Sequence, residues 1–196
     1  MTETRIRNHT VETISEGFAP LRRHEFELLR RDGTWDRQVR EIYERDDAAA
    51  VLPYDPGRGT VLLVRQFRMP VHVHGDKADL IETCAGLLEG QDPETCIRRE
   101  AEEELGLRLR QITPVCDVYL SPGGVTERSS LFVATYEPSD RIGHGGGADH
   151  EGEDIEVLEL PFDEALVMTR TGAIVDGKTI MLLQHIALER LIGSAR

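Results

Sequence analysis

Residues 86–107 read GLLEGQDPETCIRREAEEELGL, and this stretch carries the strongest signals in the chain. Asp92-Pro93 has the form of a helix start, with Asp as N-cap and Pro at the first helical position. Gly106 has the form of a stop. The spacing predicts a helix over 93–105, and Ile97, Ala101 and Leu105 recur at i, i+4 and i+8 to give it a core stripe. The same helix carries Glu100, Glu102, Glu103 and Glu104. At about 100° per residue, Glu100 and Glu104 stack on one face and Glu103 lies beside them. Like charges at i, i+4 destabilise an isolated helix by a few tenths of a kcal/mol. These acids also sit toward the C-terminus, where the macrodipole disfavours anions. Residues that oppose local stability often mark function. A divalent cation reverses the sign of the repulsion, and Mg²⁺ suits carboxylate oxygens and bridges phosphates. The competing reading is a solvated glutamate face.

Outward from the helix, most of the chain reads as strands. Residues 24–28 and 38–43 form a predicted hairpin around the turn Arg31-Asp32-Gly33. Asp46-Asp47 interrupts the pattern, dividing an N-terminal β arm, 1–46, from a domain over 47–196. Strands are expected at 48–54, 60–64, 80–84, 115–120, 130–136 and 155–160, with helices at 161–171 and 179–191. The 80–84 strand is read as ending at Ala85-Gly86. Residues 71–79 read as a loop, 121–127 as a loop between strands, and 141–154, with Gly143, Gly145, Gly146 and Gly147, as a mobile loop. The pattern gives the α/β class: a mixed sheet covered by helices.

The chain has 196 residues, 23 Lys+Arg against 36 Asp+Glu, and a formal charge of −13. With 39% hydrophobic and 30% charged residues it can form a soluble core. The acidity argues against nucleic acid and anionic membranes as partners, since both need clustered Lys and Arg. No window approaches the ~20 apolar residues of a membrane span. Residues 1–17 are polar, without the apolar region of a signal peptide. Cys84, Cys96 and Cys116 form no C-x-x-C pair and read as reduced, small core residues of a cytoplasmic protein. His72 and His74 are a weak metal pair with no third ligand nearby in sequence.

Gly86 together with Arg99-Glu100-Ala101-Glu102-Glu103-Glu104-Leu105-Gly106-Leu107 resembles the Nudix box, G-x5-E-x7-R-E-U-x-E-E-x-G-U, with U apolar. The second half matches at every fixed position. The first half is one residue short, and its isolated Glu falls at Gln91 or Asp92. Outside the box the chain looks closest to the branch of GDP-mannose pyrophosphatases, near the ADP-ribose pyrophosphatases. The segments that carry this are 64–68, 81–88, 119–127, 145–147, 153–162 and 176–179.

The resemblance implies a Nudix α/β/α sandwich with a mixed central sheet and an N-terminal antiparallel β arm. It implies Mg²⁺-dependent hydrolysis of the pyrophosphate of a nucleoside diphosphate sugar, with Mn²⁺ able to substitute. GDP-mannose, giving GMP and mannose 1-phosphate, comes first; ADP-ribose or another ADP-sugar comes second. A non-catalytic nucleotide-sugar sensor is the remote alternative, disfavoured because Glu100, Glu103 and Glu104 are intact. The implied metal ligands are the Ala85 carbonyl, Glu100, Glu104 and Glu153, with Glu103 contributing nearby; Glu103, Glu104 and Glu153 are the implied catalytic acids. Glu151 competes with Glu153, and that late carboxylate is either base or last ligand. The implied substrate contacts are Phe18, Arg40, Glu41, Arg68, Ala85, Gly86, Leu87, Glu127 and Lys178. Phe18 fits either base stacking or a core plug. A homodimer is implied, with the arm reaching a partner subunit.

Overall fold

The computed structural model describes residues 5–147 and 154–193. The chain divides into two compact units, Met1–Asp47 with Tyr119–Arg128, and Ala48–Val118 with Ser129–Arg196.

The first unit is an antiparallel sheet of β1 (Ile6–Ser15), β2 (Leu21–Leu29) and β3 (Trp35–Tyr43), in that order. β2 and β3 pair from Leu21↔Tyr43 to Leu29↔Trp35, which is the hairpin expected from sequence. At its turn Gly33 has φ +83°, and Asp32 accepts hydrogen bonds from the Thr34 N–H and hydroxyl. β1 was not foreseen: all ten of its residues are exposed, so no buried face marks it in sequence. The 121–127 loop joins this unit. The Tyr43 N–H donates to the Gly124 carbonyl (2.8 Å), and the Thr126 hydroxyl donates to the Arg45 carbonyl (2.8 Å).

The second unit contains β4 (Ala48–Asp55), β5 (Thr60–Phe67), α1 (Met69–His74), β6 (Asp79–Glu82) and β7 (Cys84–Leu87). After them come α2 (Pro93–Leu105), β8 (Ile112–Tyr119), β9 (Arg128–Thr135), β10 (Glu156–Pro161), α3 (Phe162–Thr171) and α4 (Gly177–Glu189). The sheet order is β10-β5-β4-β9-β8, with β6 beside β5 and β7 beside β4. β4 runs parallel to β9 but antiparallel to β5 and β7, so the sheet is mixed. Strands buried on both faces read as continuous apolar runs, and β4 and β5 do so. Ala49, Val51, Leu62 and Val64 pack with Ile97, Ala101 and Leu105 of α2. Ala50, Leu52, Val61 and Leu63 pack on the other face with Ala165 of α3 and Leu182, Leu183 and Ile186 of α4. This is the expected α/β/α layering.

Several expectations need correction. Residues 71–79 are not a loop throughout: α1 runs through His74, with Pro70 in its first turn and Gly75, at φ +97°, capping it. His72 and His74 are exposed near the end of that helix. The single strand expected at 80–84 is two: β6 ends at Glu82 beside β5, and after Thr83 the strand β7, beside β4, runs from Cys84 through Ala85 and Gly86 to Leu87. Cys84 and Cys96 are buried, but Cys116 is exposed and is no core residue. Among the described residues no helix is long and apolar enough to cross a membrane.

Candidate active site

The helix α2 forms over the expected residues because both ends are written into the sequence. Asp92 accepts from the Thr95 N–H (3.0 Å) and hydroxyl (2.6 Å). It therefore serves as the cap at the place where the box pattern has its isolated Glu. At the other end Gly106 adopts φ +60°, and the Leu107 N–H donates back to the Ala101 carbonyl (2.9 Å). Gly146 and Gly147 then donate to the Glu104 and Glu103 carbonyls (2.9 and 3.2 Å). Ile142 and Gly143 donate to Gly106 O (2.8 and 3.2 Å). The described part of the supposed mobile loop, 141–147, is thus a seat for the helix C-terminus, satisfying carbonyls that a helix end leaves open.

The buried face of α2 carries more than its apolar stripe. Glu100 and Glu104 are buried, at 8% and 2% exposure. Glu is almost never so buried without partners, because an isolated buried carboxylate is costly. Gly86 of β7 makes room for the first: a methyl group there would lie 1.9 Å from Glu100 Oε1. The second accepts from the Ala85 N–H (3.3 Å). Arg99 donates to Glu100 Oε1 (2.7 Å) and Glu103 Oε2 (2.8 Å), so one guanidinium holds two of the acids. Next to them, burial, then the charges of Glu104 and Glu100, push the Cys84 thiol far up, leaving it a neutral core group. Burial likewise raises Cys96 to about 11.

Three carboxylates and the Ala85 carbonyl are hard oxygen donors of the kind Mg²⁺ takes. Among the described residues no three acidic, histidine or cysteine side chains are already gathered as a metal cage. Arg99 instead pairs with two of the acids, Glu100 and Glu103. The donor chemistry, with the Glu100 carboxylate seated where a side chain at residue 86 would lie, fits a divalent cation, although among the described residues the ready-made geometry is not present. Glu151 and Glu153 lie outside the described residues.

A second charged group lies in the same unit. Arg68 grips Glu82 through Nε–Oε1 (2.7 Å) and Nη2–Oε2 (3.2 Å). Burial alone would lower the Arg68 guanidinium, yet Glu82, and beyond it Glu104 and Asp176, raise it. Arg68 is therefore within electrostatic reach of the acidic helix. Lys178 donates to Asp176 (2.7 Å) and lies 3.7 Å from Glu82. A cavity of about 870 Å³ borders Pro70, Val71, Leu80, Ile81, Met168 and Val175, and its lining includes none of Ala85, Gly86 or the α2 acids.

Phe18, Arg40, Glu41 and Glu127 belong to the first unit. Phe18 is 78% exposed, so it is no core plug within this chain; the Arg45 guanidinium stands 5.5 Å from its ring centroid. Arg45 also pairs with Glu127 (3.3 Å). Arg40 donates to Val39 O and Gln38 Oε1, and Glu41 faces Arg23 at 3.4 Å.

Glu82 and Asp176 escaped the sequence reading. A lone Glu in the apolar run LIETC signals a buried, partnered charge. Asp176, three residues before Thr179 and an apolar run, has the N-cap pattern.

A NUDIX domain model matches residues 44–183, and a model described as the GDP-mannose pyrophosphatase NudK N-terminal domain matches residues 5–43. The chain is 51% identical to a GDP-mannose pyrophosphatase of Pectobacterium atrosepticum, over 88% of this chain and 89% of that protein. It is 47% identical to the Salmonella arizonae protein of the same name, over 92% and 94%. It is 46% identical to that of Escherichia coli O1:K1, over 91% and 93%. An acid-bearing helix locked against a glycine strand, under a domain match that spans well over half its length, means that the chain belongs to the Nudix family.

Proposed function

We propose that this Nudix pyrophosphohydrolase cleaves GDP-mannose to GMP and mannose 1-phosphate. The observation that carries the chemistry is the burial of Glu100 and Glu104 against Ala85 and Gly86. The choice of substrate follows from the relatives, which are named GDP-mannose pyrophosphatases and share the N-terminal region as well as the Nudix domain.

Glu100, Glu103, Glu104 and the Ala85 carbonyl would hold Mg²⁺ or Mn²⁺, with Glu153 or Glu151 as a further ligand or the base. When bound, the cation shields the diphosphate, polarises phosphorus and lowers the pKa of the attacking water. Arg99, which bridges Glu100 and Glu103, would offset their mutual repulsion where no cation does so. Arg68 and Lys178 bind the anionic bridge; in an acidic protein such cations are what let a diphosphate approach. Gly86 and Leu87 offer backbone beside it. Phe18, Arg40 and Glu41 contact the nucleotide sugar from the β arm, whose boundary we put at residue 46, and Glu127 does so from the 121–127 loop. Exposed Phe18 suits base stacking.

We further propose a cytoplasmic homodimer built through the arm. No described residue of the first unit is fully buried, while Ile6, Val11, Ile14, Trp35 and Val39 are exposed. A sheet needs a covered apolar face for stability of its own.

A panel of GDP-mannose, ADP-ribose, ADP-glucose and NADH, assayed with Mg²⁺ for released monophosphate, tests the reading. GDP-mannose is expected to give the highest kcat/KM. A preference for ADP-ribose would overturn the substrate, and absence of turnover on the whole panel would overturn the reaction.

A further inference from the structure

We infer that Glu82 is a positioning residue: a buried carboxylate that sets Arg68 and Lys178 as a two-cation clamp on the substrate's diphosphate. This rests on the proposed nucleotide-sugar reaction, which supplies the diphosphate.

The geometry begins with burial. Glu82 ends β6 at 3% exposure, and a carboxylate so placed needs cations. It has two. Arg68 meets both of its oxygens in the fork geometry that only guanidinium offers. Lys178 stands 3.7 Å from Oε2. The Arg68 side chain is 39% exposed, and among the described residues its Nη1 has no partner. One edge of the guanidinium is anchored and the other is available. Lys178 is half anchored in the same way, with Asp176 and Glu82 facing an ammonium that carries three donors.

The carboxylate is itself fixed. Its chain neighbour Thr83 donates its N–H to Thr179 Oγ1 (2.7 Å) and its hydroxyl to Val51 O (2.5 Å). Thr179 in turn donates N–H and hydroxyl to Asp176 (2.9 and 2.7 Å). Thr83 and Thr179 are fully buried. The end of β6 and the start of α4, 96 residues apart in sequence, are thereby locked together. Arg68 comes from the end of β5 and Lys178 from the first turn of α4, so Glu82 is the group that both cations share. Without it, two positive charges would repel and two long side chains would regain their rotamer freedom, which binding would have to remove again.

The test is Glu82→Gln, which keeps shape and removes charge. One readout needs no substrate: the ¹⁵N–¹H signal of Arg68 Nε. It is expected to be slow-exchanging in the wild type and lost to solvent exchange in the variant. An equally protected signal in Glu82→Gln overturns the inference. The second readout is GDP-mannose kinetics. Glu82→Gln is expected to raise KM about tenfold with kcat little changed, since the clamp grips ground and transition states alike. Combining it with Arg68→Ala should give less than the product of the two single effects. An unchanged KM, or fully multiplicative effects, counts against positioning. A purely structural role would instead lower Tm and leave KM alone. If Arg68→Ala and Lys178→Ala leave KM unchanged, the clamp itself is overturned; if wild type does not turn over GDP-mannose, the reaction assignment fails instead, and the Arg68 signal alone decides whether Glu82 positions Arg68.

Discussion

At Gly86 the site is decided by a missing methyl group. Its backbone carries no left-handed strain, so the requirement is space: an added Cβ would meet Glu100 Oε1 at 1.9 Å and Cγ at 2.7 Å. Those atoms belong to a side chain that can swing away, so Gly86→Ala should leave the fold intact while displacing the carboxylate. The expected result is a Tm within a few degrees of wild type and activity lowered about 10–100-fold, with more Mg²⁺ needed for half-activation. Unchanged Mg²⁺ dependence would show that the position of Glu100 is immaterial. The glutamates of the second half of α2 make an internal comparison. Glu104 is buried on Ala85, whereas Glu102 is exposed and pairs with Arg108 at 3.3 Å. Glu104→Gln should lower kcat by orders of magnitude with melting preserved, and Glu102→Gln should be near neutral. Wild-type turnover by Glu104→Gln in saturating Mg²⁺ would remove that residue from the machinery.

Among the elements, α2 and α4 are both started by an aspartate whose side chain accepts from the third residue on. For Asp176, burial would raise the carboxyl, but Lys178 and the Thr179 donors outweigh it and hold it below the usual range. A carboxyl lowered in the folded state stabilises the fold fully above its unfolded value of about 4, and that contribution fades as pH falls through the lower folded value. Asp176→Ala should therefore cost ~1 kcal/mol near neutrality, the usual worth of an N-cap, and progressively less below about pH 4. Denaturant melts at several pH values check this; a gap that stays constant with pH would mean the charge is not involved. The limits of α2 were legible because its caps are local. What lay beyond reading was the destination of distant groups. Gly143, Gly145, Gly146 and Gly147 look in sequence like any mobile glycine run, yet the N–H groups of 143, 146 and 147 end on the C-terminus of α2. A methyl on Gly145 would come within 2.2 Å of Glu104 O, so one glycine there serves close packing. Glu82 was equally hidden, since its partners lie 14 and 96 residues onward or back in the chain. β1 and α1 carry no buried residue and so left no periodic trace.

For the whole molecule, the contrast between the two units sets the question. The second unit has a core on both faces of its sheet, whereas the first has no fully buried residue among those described. Deleting 1–46 is one probe of the proposed homodimer, and light scattering after size exclusion should show a monomer. That deletion also removes Tyr43 and Arg45, which tie the 121–127 loop, so lost activity alone would have two causes. Point charges separate them. Val11 and Val39 are 50% and 44% exposed in the single chain. In a monomer, Val11→Asp or Val39→Asp on such a surface should change stability by no more than about 0.5 kcal/mol. In a dimer that covers them, the same charge is buried without a partner and dissociation is expected at micromolar concentration, with the hairpin itself preserved. Dimers that survive both substitutions, with unchanged Tm, would mean that the arm does not form the interface.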